Sequence, residues 1–137
     1  MKLGAIYSKE KTTFTLFSPV ADSVFVIFYD KGNDSTETGR LEMMRGEGEL
    51  RSIFSATAEG NLDGVYYTYE VHTADGTFSS HDPYARACGV NGHRSMVIDL
   101  SKTDPDGFAD EDRPKLADPM SMVITEVSVA DVSAGAS

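Results

Sequence analysis

Residues 65–71 read Val-Tyr-Tyr-Thr-Tyr-Glu-Val, and this run has the clearest β-strand pattern in the chain. Successive side chains of a strand point to opposite faces of a sheet, so the residues divide into two sets. One face carries Val65, Tyr67, Tyr69 and Val71, and the other carries Tyr66, Thr68, Glu70 and His72. Aromatic rings are therefore expected on both sides of this strand.

Turn-forming residues bound this strand on both sides. Asn61-Leu-Asp-Gly64 precedes it, and Ala74-Asp-Gly-Thr77 follows it with an Asp-Gly pair, a strong hairpin signal. Other short runs rich in β-branched and aromatic residues predict strands at 12–18, 23–29, 41–44, 53–58 and 95–100. No segment has a convincing helical period. The pattern predicts an all-β sandwich of about seven antiparallel strands with little helix.

Length and charge narrow the classes of protein to which the chain can belong. At 137 residues it is expected to form a single domain, with a net charge of −10 that argues against nucleic acid as a partner. No run of about 20 apolar residues is present, so no membrane partner is expected. Cys88 is the only cysteine, which excludes an intrachain disulfide. Residues 1–11 contain no apolar segment of the signal-peptide type, so a cytoplasmic location is expected.

The composition changes twice along the chain. Residues 1–102 contain the predicted strands and are assigned to the sandwich. Residues 103–119 are rich in Asp and Pro and are predicted to form a surface connector. Residues 120–137 are interpreted as a truncated stub. Its apolar run, 122–129, would suit a parallel-sheet strand if neighbouring strands were supplied.

Side chains capable of catalysis or metal binding are scattered rather than grouped. Glycoside hydrolysis requires two carboxyl groups held about 5–9 Å apart across one sugar bond. The carboxylates on or beside apolar segments are interpreted as solvated or capping groups; they are Glu70, Asp82, Asp99 and Glu126. The histidines have irregular spacing and no adjacent cysteine; they are His72, His81 and His93. No catalytic residue, metal site or cofactor is expected.

Five segments together resemble the N-terminal module of type I pullulanases. They are Leu3–Tyr7, Phe14–Ala21, Gly60–Glu70, Asp82–Ala87 and Asn91–Leu100. The resemblance covers about the first hundred residues and implies an immunoglobulin-like carbohydrate-binding module of family 48. In that family a (β/α)8 barrel of the α-amylase class follows the module and hydrolyses α-1,6 linkages in glucans. The resemblance therefore implies an α-glucan context for this chain.

The end of the sequence resembles the first barrel strand of that family only in part. Residues 124–133 read Ile-Thr-Glu-Val-Ser-Val-Ala-Asp-Val-Ser. Thr125, Ser128, Ala130 and Val132 stand where the family has Tyr, His, Arg and Phe. The family's catalytic residues lie on later barrel strands that are not in this sequence. Hydrolysis is therefore not carried over to this chain.

A glucan site usually stacks a sugar ring on a flat aromatic side chain and fixes the hydroxyls with a few polar groups. The chain has no Trp, and Phe17 and Phe54 lie in strand patterns that predict burial. Tyr66 is the predicted stacking residue because it lies opposite Tyr67 and Tyr69. The predicted hydroxyl partners come from nearby loops: Lys31, Asn33 and Asn61.

Residues 82–85, Asp-Pro-Tyr-Ala, are predicted to form a rigid corner. Pro83 fixes its own φ and biases Asp82 toward extended geometry. Tyr84 is expected to anchor this corner, with its ring packed and its hydroxyl bonded to a polar partner. In the resembled enzymes the corner lies near the junction of module and barrel. Asp82, Pro83, Tyr84 and Ala85 are therefore assigned to barrel docking or structure.

Three functions remain open at the level of sequence. The first is a non-catalytic accessory module that docks on the catalytic barrel of its parent enzyme and contacts α-glucan weakly. The second is an autonomous α-glucan-binding module, and the third is a sandwich that binds protein partners and no sugar. Without the barrel, an exposed apolar docking face is expected beside residues 82–87 and the tail, and with it either self-association or a disordered tail from residue 120 onward.

Overall fold

A computed structural model describes residues 1–112 and 115–134. It contains two units, Met1–Thr103 and Asp104–Ser137. Positions 113–114 of the predicted connector and 135–137 of the predicted stub lie outside the described residues. The first unit contains all the strands that the structure describes.

Nine strands form in the described part of the chain, and every pairing between them is antiparallel. Seven have four residues or more, which agrees with the predicted number, and the last two have two residues each. They are β1 (Gly4–Tyr7), β2 (Lys11–Phe17), β3 (Ser23–Tyr29), β4 (Glu37–Arg45), β5 (Ile53–Glu59), β6 (Tyr66–Thr73), β7 (Gly76–Ser80), β8 (Ala87–Cys88) and β9 (Ser95–Met96). The predicted all-β, immunoglobulin-like sandwich is confirmed.

The strands follow the order β1-β2-β5-β4-β3-β6-β9-β8, with β7 paired to β6. Strand β4 pairs with β3 along most of its length but with β5 at only two positions, Met44 and Arg45. It therefore connects two halves of the sandwich, β1-β2-β5 and the half that contains β3 and β6. The hydrophobic core lies between these halves.

Core side chains come from alternate positions of the facing strands. Phe14, Leu16 and Phe54 from one half meet Val24, Val26, Met43, Tyr67, Tyr69 and Val97 from the other. The Phe14 ring lies edge-on to the Tyr67 ring with centroids 5.0 Å apart, a favourable aromatic geometry. Tyr67 and Tyr69 are fully buried and Tyr66 is half-buried, so the two faces predicted for this strand are confirmed.

Three elements differ from the sequence prediction. Strand β1 was not predicted, and β4 is longer than the predicted 41–44. The predicted strand 95–100 ends at Met96, because the N–H and C=O of Val97 bond to the turn before β6 rather than to a strand. The Asp99 side chain then accepts a hydrogen bond from the Ser101 N–H and starts a 3₁₀ turn at Leu100–Lys102.

Helical structure is short wherever the structure describes it. One α-helix, α1, spans Val129–Ser133, and residues 122–128 before it form neither helix nor strand. An extended segment needs a neighbouring strand to satisfy its backbone groups, and none pairs with 122–128 in the described chain. The 3₁₀ turns are Gly48–Leu50, Val90–Gly92, Leu100–Lys102, Phe108–Asp110 and Pro119–Ser121. No described helix has the length and hydrophobicity needed to cross a membrane.

Candidate functional site

The predicted corner is built around the carboxylate of Asp82, which is only 3% exposed. Its Oδ2 accepts a hydrogen bond from the Tyr67 hydroxyl at 2.7 Å and one from the Tyr69 hydroxyl at 3.2 Å. Both tyrosines point inward from β6 because they occupy alternate positions of the strand. The core face of β6 thus supplies two hydroxyl donors to a carboxylate that arrives from a loop.

The backbone of the corner is also organised by Asp82. The Asp82 N–H donates to Ser95 Oγ at 2.8 Å, which ties the corner to β9. Asp82 Oδ1 accepts from the Tyr84 N–H at 2.8 Å, and the Asp82 carbonyl accepts from the Ala85 N–H at 3.1 Å. We call these contacts of Tyr67, Tyr69, Asp82 and Ser95 the Asp82 network. It satisfies the buried polar groups that the corner brings into the core.

The expectation that the Tyr84 side chain anchors the corner is wrong. Tyr84 is 52% exposed, whereas Asp82 occupies the buried position. The two inward hydroxyl groups of β6 require an acceptor, and a carboxylate satisfies both where a third hydroxyl would serve them less well. Tyr84 contacts β1 through its Cβ: a Cβ added to Gly4, whose φ is +87°, would lie 2.8 Å from it. The Tyr84 side chain is therefore about half exposed rather than packed in the core.

Burial changes the acid–base behaviour of the inward tyrosines. The pKa of Tyr67 is raised first by burial and then by its hydrogen bond to Asp82. The pKa of Tyr69 is also raised by burial first, and the Asp82 charge adds to the effect. Both phenols therefore stay neutral at any physiological pH. They act as permanent donors to the carboxylate.

A shallow groove lies beside the corner and between β1 and the segment that follows β9. Its lining includes Lys2, Ile6, Tyr7, Arg86, Asp99 and Leu100. Ile6 and Leu100 are exposed apolar residues at this groove, and the half-exposed Tyr84 lies over neighbouring Gly4. Apolar side chains grouped in this way mark contact surfaces more often than isolated ones do. We call Ile6, Tyr84, Arg86 and Leu100 the corner surface.

Charged side chains hold the far wall of the groove in place. Lys102 Nζ donates to Asp63 Oδ2 at 2.7 Å, and Asp99 Oδ1 accepts from the Ser101 hydroxyl at 2.6 Å. The hydrogen bond from Ser101 is the main cause of the lowered pKa of Asp99, and the bond from Lys102 is the main cause of the lowered pKa of Asp63. Both carboxylates are therefore ionised and engaged. The first unit ends at Thr103, directly after this wall.

Tyr66 lies on the outer face of the sheet, opposite to the buried Tyr67 and Tyr69. Its Cα is paired with Tyr29 on β3 and with Met96 on β9. The loop after β3 approaches its ring closely: a Cβ added to Gly32 would lie 3.1 Å from Tyr66 Cε1. This contact brings the loop with Lys31 and Asn33 next to Tyr66. Lys31 is exposed, and Asn33 donates to Asp34 Oδ2 at 2.9 Å.

Asn61 is engaged elsewhere. Its Oδ1 accepts a hydrogen bond from the Tyr7 hydroxyl at 2.9 Å and another from the Asp63 N–H at 3.0 Å. Tyr7 and Asp63 belong to the groove side of the sandwich. The predicted sugar-binding group is therefore brought together in part: Gly32, which lies between Lys31 and Asn33, approaches the Tyr66 ring, while Asn61 fixes the turn before β6.

The two phenylalanines that were expected to be buried differ from one another. Phe54 is 1% exposed, as predicted, and the Arg45 guanidinium lies 5.0 Å from its ring centroid. The prediction for Phe17 is wrong, since this residue is 54% exposed. Phe14 and Leu16 occupy the inward positions of β2, so Phe17 falls on the outward parity. The two-residue period of the strand was the signal that could have identified Phe17 as exposed.

Sequence reasoning missed Arg94, which joins two loops near Tyr66. Its guanidinium lies 3.6 Å from the centroid of the Tyr29 ring and donates to the Lys31 carbonyl at 2.7 Å. It also donates to the hydroxyl and the carbonyl of Ser35, each at 2.8 Å. Arg94 and Ser35 are 59 residues apart in sequence. No local pattern could have paired them.

The remaining carboxylates and histidines do not converge on a reaction centre. Glu70 bonds to His72 Nε2 at 2.9 Å and lies 3.5 Å from Arg40, and Asp82 is held inside its network. Glu126 is exposed in the second unit. Within residues 1–112 and 115–134, no group of three or more His, Cys, Asp or Glu side chains could hold a metal ion.

Comparison with known proteins identifies pullulanases as relatives of this chain. Pullulanase A of Streptococcus pneumoniae serotype 4 is 31% identical over 116 residues, which is 80% of this chain and 9% of that protein. The apo pullulanase structure of Paenibacillus barengoltzii aligns with a TM-score of 0.77 at 34% identity, covering 85% of this chain and 17% of that one. For the pullulanase of Bacillus acidopullulyticus the TM-score is 0.78 at 35% identity, covering 86% and 14%.

The chain spans less than a fifth of the length of these relatives. A family model supplies the assignment. Residues 2–85 match the model for carbohydrate-binding module 48, described as the isoamylase N-terminal domain. The match extends from β1 through β7 to the corner at Asp82–Ala85. The chain therefore belongs to the carbohydrate-binding module 48 family.

Proposed function

We propose that this chain is a non-catalytic accessory module that docks, through the corner surface, on a glycoside hydrolase domain that acts on α-1,6-glucan linkages. The observation that carries the proposal is the grouping of exposed Ile6, Tyr84 and Leu100 beside a corner fixed from inside by Asp82. A rigid, partly apolar surface of this kind binds a partner without the conformational-entropy cost of ordering a loop. The relatives are named pullulanases, and their names suggest a glycoside hydrolase domain as the partner.

The position of the groove supports an occupant that follows in the same polypeptide. Leu100 and Ser101 line the groove, and the first unit ends at Thr103. A domain joined by a short connector is present at a high effective concentration near the point of attachment. The corner surface is therefore within easy reach of such a domain even if its intrinsic affinity is low.

A chimaera tests the docking proposal. The part of the Bacillus acidopullulyticus pullulanase that follows its matching region is placed after Ser137, and amide hydrogen exchange is compared with that of the unmodified chain. Amides of residues 4–7 and 84–101 are expected to gain protection in the chimaera. The combined substitution Tyr84→Ala and Leu100→Glu should abolish the gain, whereas Phe78→Ala, an exposed aromatic on β7, should not. Equal protection in both proteins contradicts docking.

We also expect the exposed corner surface to cause self-association of the chain. Sedimentation velocity of the full chain is expected to show concentration-dependent association that Leu100→Glu reduces, because a charge at the centre of an apolar contact opposes its desolvation. The control is Val90→Glu, which places the same charge at an exposed apolar residue elsewhere. A monomer at all concentrations would show that the surface does not attract a second copy.

Weak contact with α-glucan is the second candidate function. It is favoured by one observation: Tyr66 is half-buried beside a loop that carries Lys31 and Asn33. A fixed ring with adjacent polar groups matches the needs of a neutral sugar. The net charge of −10 does not oppose such a ligand.

Titration with maltoheptaose, followed by amide NMR shifts, tests this second candidate. Shifts are expected at Gly32, Asn33 and Tyr66 at millimolar sugar, and Tyr66→Ala should remove them while Tyr66→Phe retains the stacking surface. Tyr84→Ala is the matched control. Absence of shifts at millimolar sugar contradicts glucan contact and leaves docking or a sugar-independent protein partner. Incubation with pullulan should release no reducing ends, and measurable release would overturn the non-catalytic assignment.

A further inference from the structure

The loop between β3 and β4 is fastened to the segment between β8 and β9. Arg94 supplies three hydrogen bonds to this loop: Nη1 donates to the Lys31 carbonyl and the Ser35 hydroxyl, and Nη2 donates to the Ser35 carbonyl. Its guanidinium covers the Tyr29 ring at 3.6 Å, within the range of a cation–π contact. Among the described residues, no carboxylate lies within ion-pair distance of Arg94. Its hydrogen bonds to backbone and hydroxyl oxygens hold the loop instead.

Two glycines bring the same segments into direct backbone contact. A Cβ added to Gly89 would lie 2.5 Å from the Gly32 Cα, and a Cβ added to Gly32 would lie 2.9 Å from the Gly89 Cα. Neither glycine is in the left-handed region, so close approach rather than φ is the reason for glycine here. Arg94 and this glycine pair together form what we call the loop clamp.

We propose that Arg94 is a positioning residue that, through the loop clamp, holds Lys31 and Asn33 beside Tyr66 as a preformed surface for a neutral α-glucan. This inference rests on the second candidate function above. A weak ligand gains most from a surface whose loops are already ordered, because the ordering cost is not taken from the binding free energy. Arg94 itself does not contact the sugar in this proposal.

The chemistry of arginine explains why the clamp depends on this residue. The planar fork places Nη1 and Nη2 on different acceptors at once while the plane stacks on a ring. A lysine ammonium keeps the charge but cannot reproduce all three bonds together with the stacked geometry. Arg94 covers one face of the Tyr29 ring, and Tyr66 is the cross-strand neighbour of Tyr29 on the same face of the sheet.

Two substitutions break the clamp in independent ways in the full chain. Arg94→Lys removes the fork, and Gly89→Ala forces the two backbones apart without altering any charge. Arg51→Lys, at an exposed arginine, is the control for the first, and Gly39→Ala is the control for the second because an added Cβ there meets only Phe28 Cδ2 at 4.0 Å. Amide exchange of residues 31–35, maltoheptaose affinity by NMR, and the urea midpoint are measured for all five proteins.

The expected result separates loop order from overall stability. Exchange at 31–35 should become about tenfold faster in Arg94→Lys and Gly89→Ala, as for a local opening that does not involve the core. Maltoheptaose affinity should fall several-fold in both, while exchange in β2 and β5 stays unchanged. A residue that only stabilised the fold would lower the urea midpoint and accelerate exchange in the core as well.

Each failure points to a different conclusion. If the unsubstituted chain shows no shifts with maltoheptaose, glucan contact fails and the proposed ligand of the clamp fails with it. If the unsubstituted chain binds and both clamp variants bind equally well, the positioning role alone is overturned. Unchanged exchange at 31–35 in both variants also overturns it, because the loop would then be ordered by other contacts.

Discussion

The Asp82 network and the loop clamp both fix a loop with one charged side chain, but they do so in different surroundings. Asp82 is buried and accepts from hydroxyl groups of the core, whereas Arg94 is half-buried and donates to a surface loop. Loss of a buried acceptor leaves core donors without partners, while loss of a surface donor leaves carbonyls that water can reach. The first device therefore contributes to the stability of the whole sandwich, and the second to the order of one loop.

This contrast agrees with the two proposed roles, docking at the corner surface and weak glucan contact beside the loop clamp. A docking surface must stay rigid when its partner binds, and the corner is hydrogen-bonded directly to β6 and β9. A weak ligand surface needs only local order. Four experiments can break or sharpen this contrast, and they are ordered by the size of the expected effect.

Replacing the buried acceptor should have the largest effect. Asp82→Ala should lower the free energy of unfolding by about 2–6 kcal/mol, because two buried hydroxyl donors lose their acceptor at about 1–3 kcal/mol each. Urea unfolding monitored by tyrosine fluorescence measures this. Asp30→Ala, at an exposed carboxylate, is the control and should change stability little. A loss below 1 kcal/mol, on the order of a surface substitution, would mean that the network does not support the core.

Alkaline pH should destabilise the sandwich through the same network. The folded pKa values of Tyr67 and Tyr69 are raised, so the folded state keeps protons that the unfolded chain releases above about pH 10. The stability contribution is full below that pH and falls above it by about 1.4 kcal/mol per pH unit for each tyrosine. Urea unfolding between pH 9 and 11.5 measures the slope. Tyr67→Phe should reduce it and Tyr84→Phe should not; an unchanged slope in Tyr67→Phe contradicts the assignment.

The two donors of the network should be unequal. The Tyr67 hydroxyl lies 2.7 Å from Asp82 Oδ2 and the Tyr69 hydroxyl lies 3.2 Å from it. Tyr67→Phe should cost about 1.5–3 kcal/mol, the usual value for a hydrogen bond to a charged group. Tyr69→Phe should cost less because its bond is longer. The reverse order in urea unfolding at neutral pH would show that Tyr69 is the principal donor.

Removing the exposed ring of the corner should have the smallest effect on stability. Tyr84→Ala should change the free energy of unfolding by no more than about 0.5 kcal/mol, since Tyr84 is 52% exposed. The same substitution is expected to weaken docking in the chimaera. Differential scanning calorimetry compares it with Asp82→Ala. A loss as large as that of Asp82→Ala would restore Tyr84 as the structural anchor.

The sequence was sufficient for the strand pattern and for the inward set on β6. Tyr67 and Tyr69 share parity with Val71, and a strand with one buried face must place them together. The same two-residue alternation correctly predicted that Phe54 is buried. Applied strictly to β2, it would also have predicted that Phe17 is exposed. The family resemblance was confirmed by the family model, which matches residues 2–85, although the motif Asn91–Leu100 lies beyond that range.

Pairings between distant residues required the tertiary structure. The proline and turn chemistry of residues 82–85 predicted a corner, but only the packing of β6 beneath it showed that Asp82 rather than Tyr84 is buried. Asn61 looked equivalent to Asn33 as a polar loop residue, and its bond to Tyr7 depends on the position of β1. The short backbone contact between Gly32 and Gly89 has no local signature either.

The amino-acid sequence by itself determines the two-residue alternation of side chains along the strands, because strand geometry depends on neighbours in the chain. That alternation determines the sandwich class and the core face of β6, whereas the resemblance to its family rests on five sequence motifs. The burial of Asp82, the reach of Arg94 to Ser35 and the grouping of Ile6, Tyr84 and Leu100 are decided in three dimensions. A hydrogen bond forms only when its donor and acceptor are close in space. Residues that are far apart in the sequence come close only after the two halves of the sandwich have packed together.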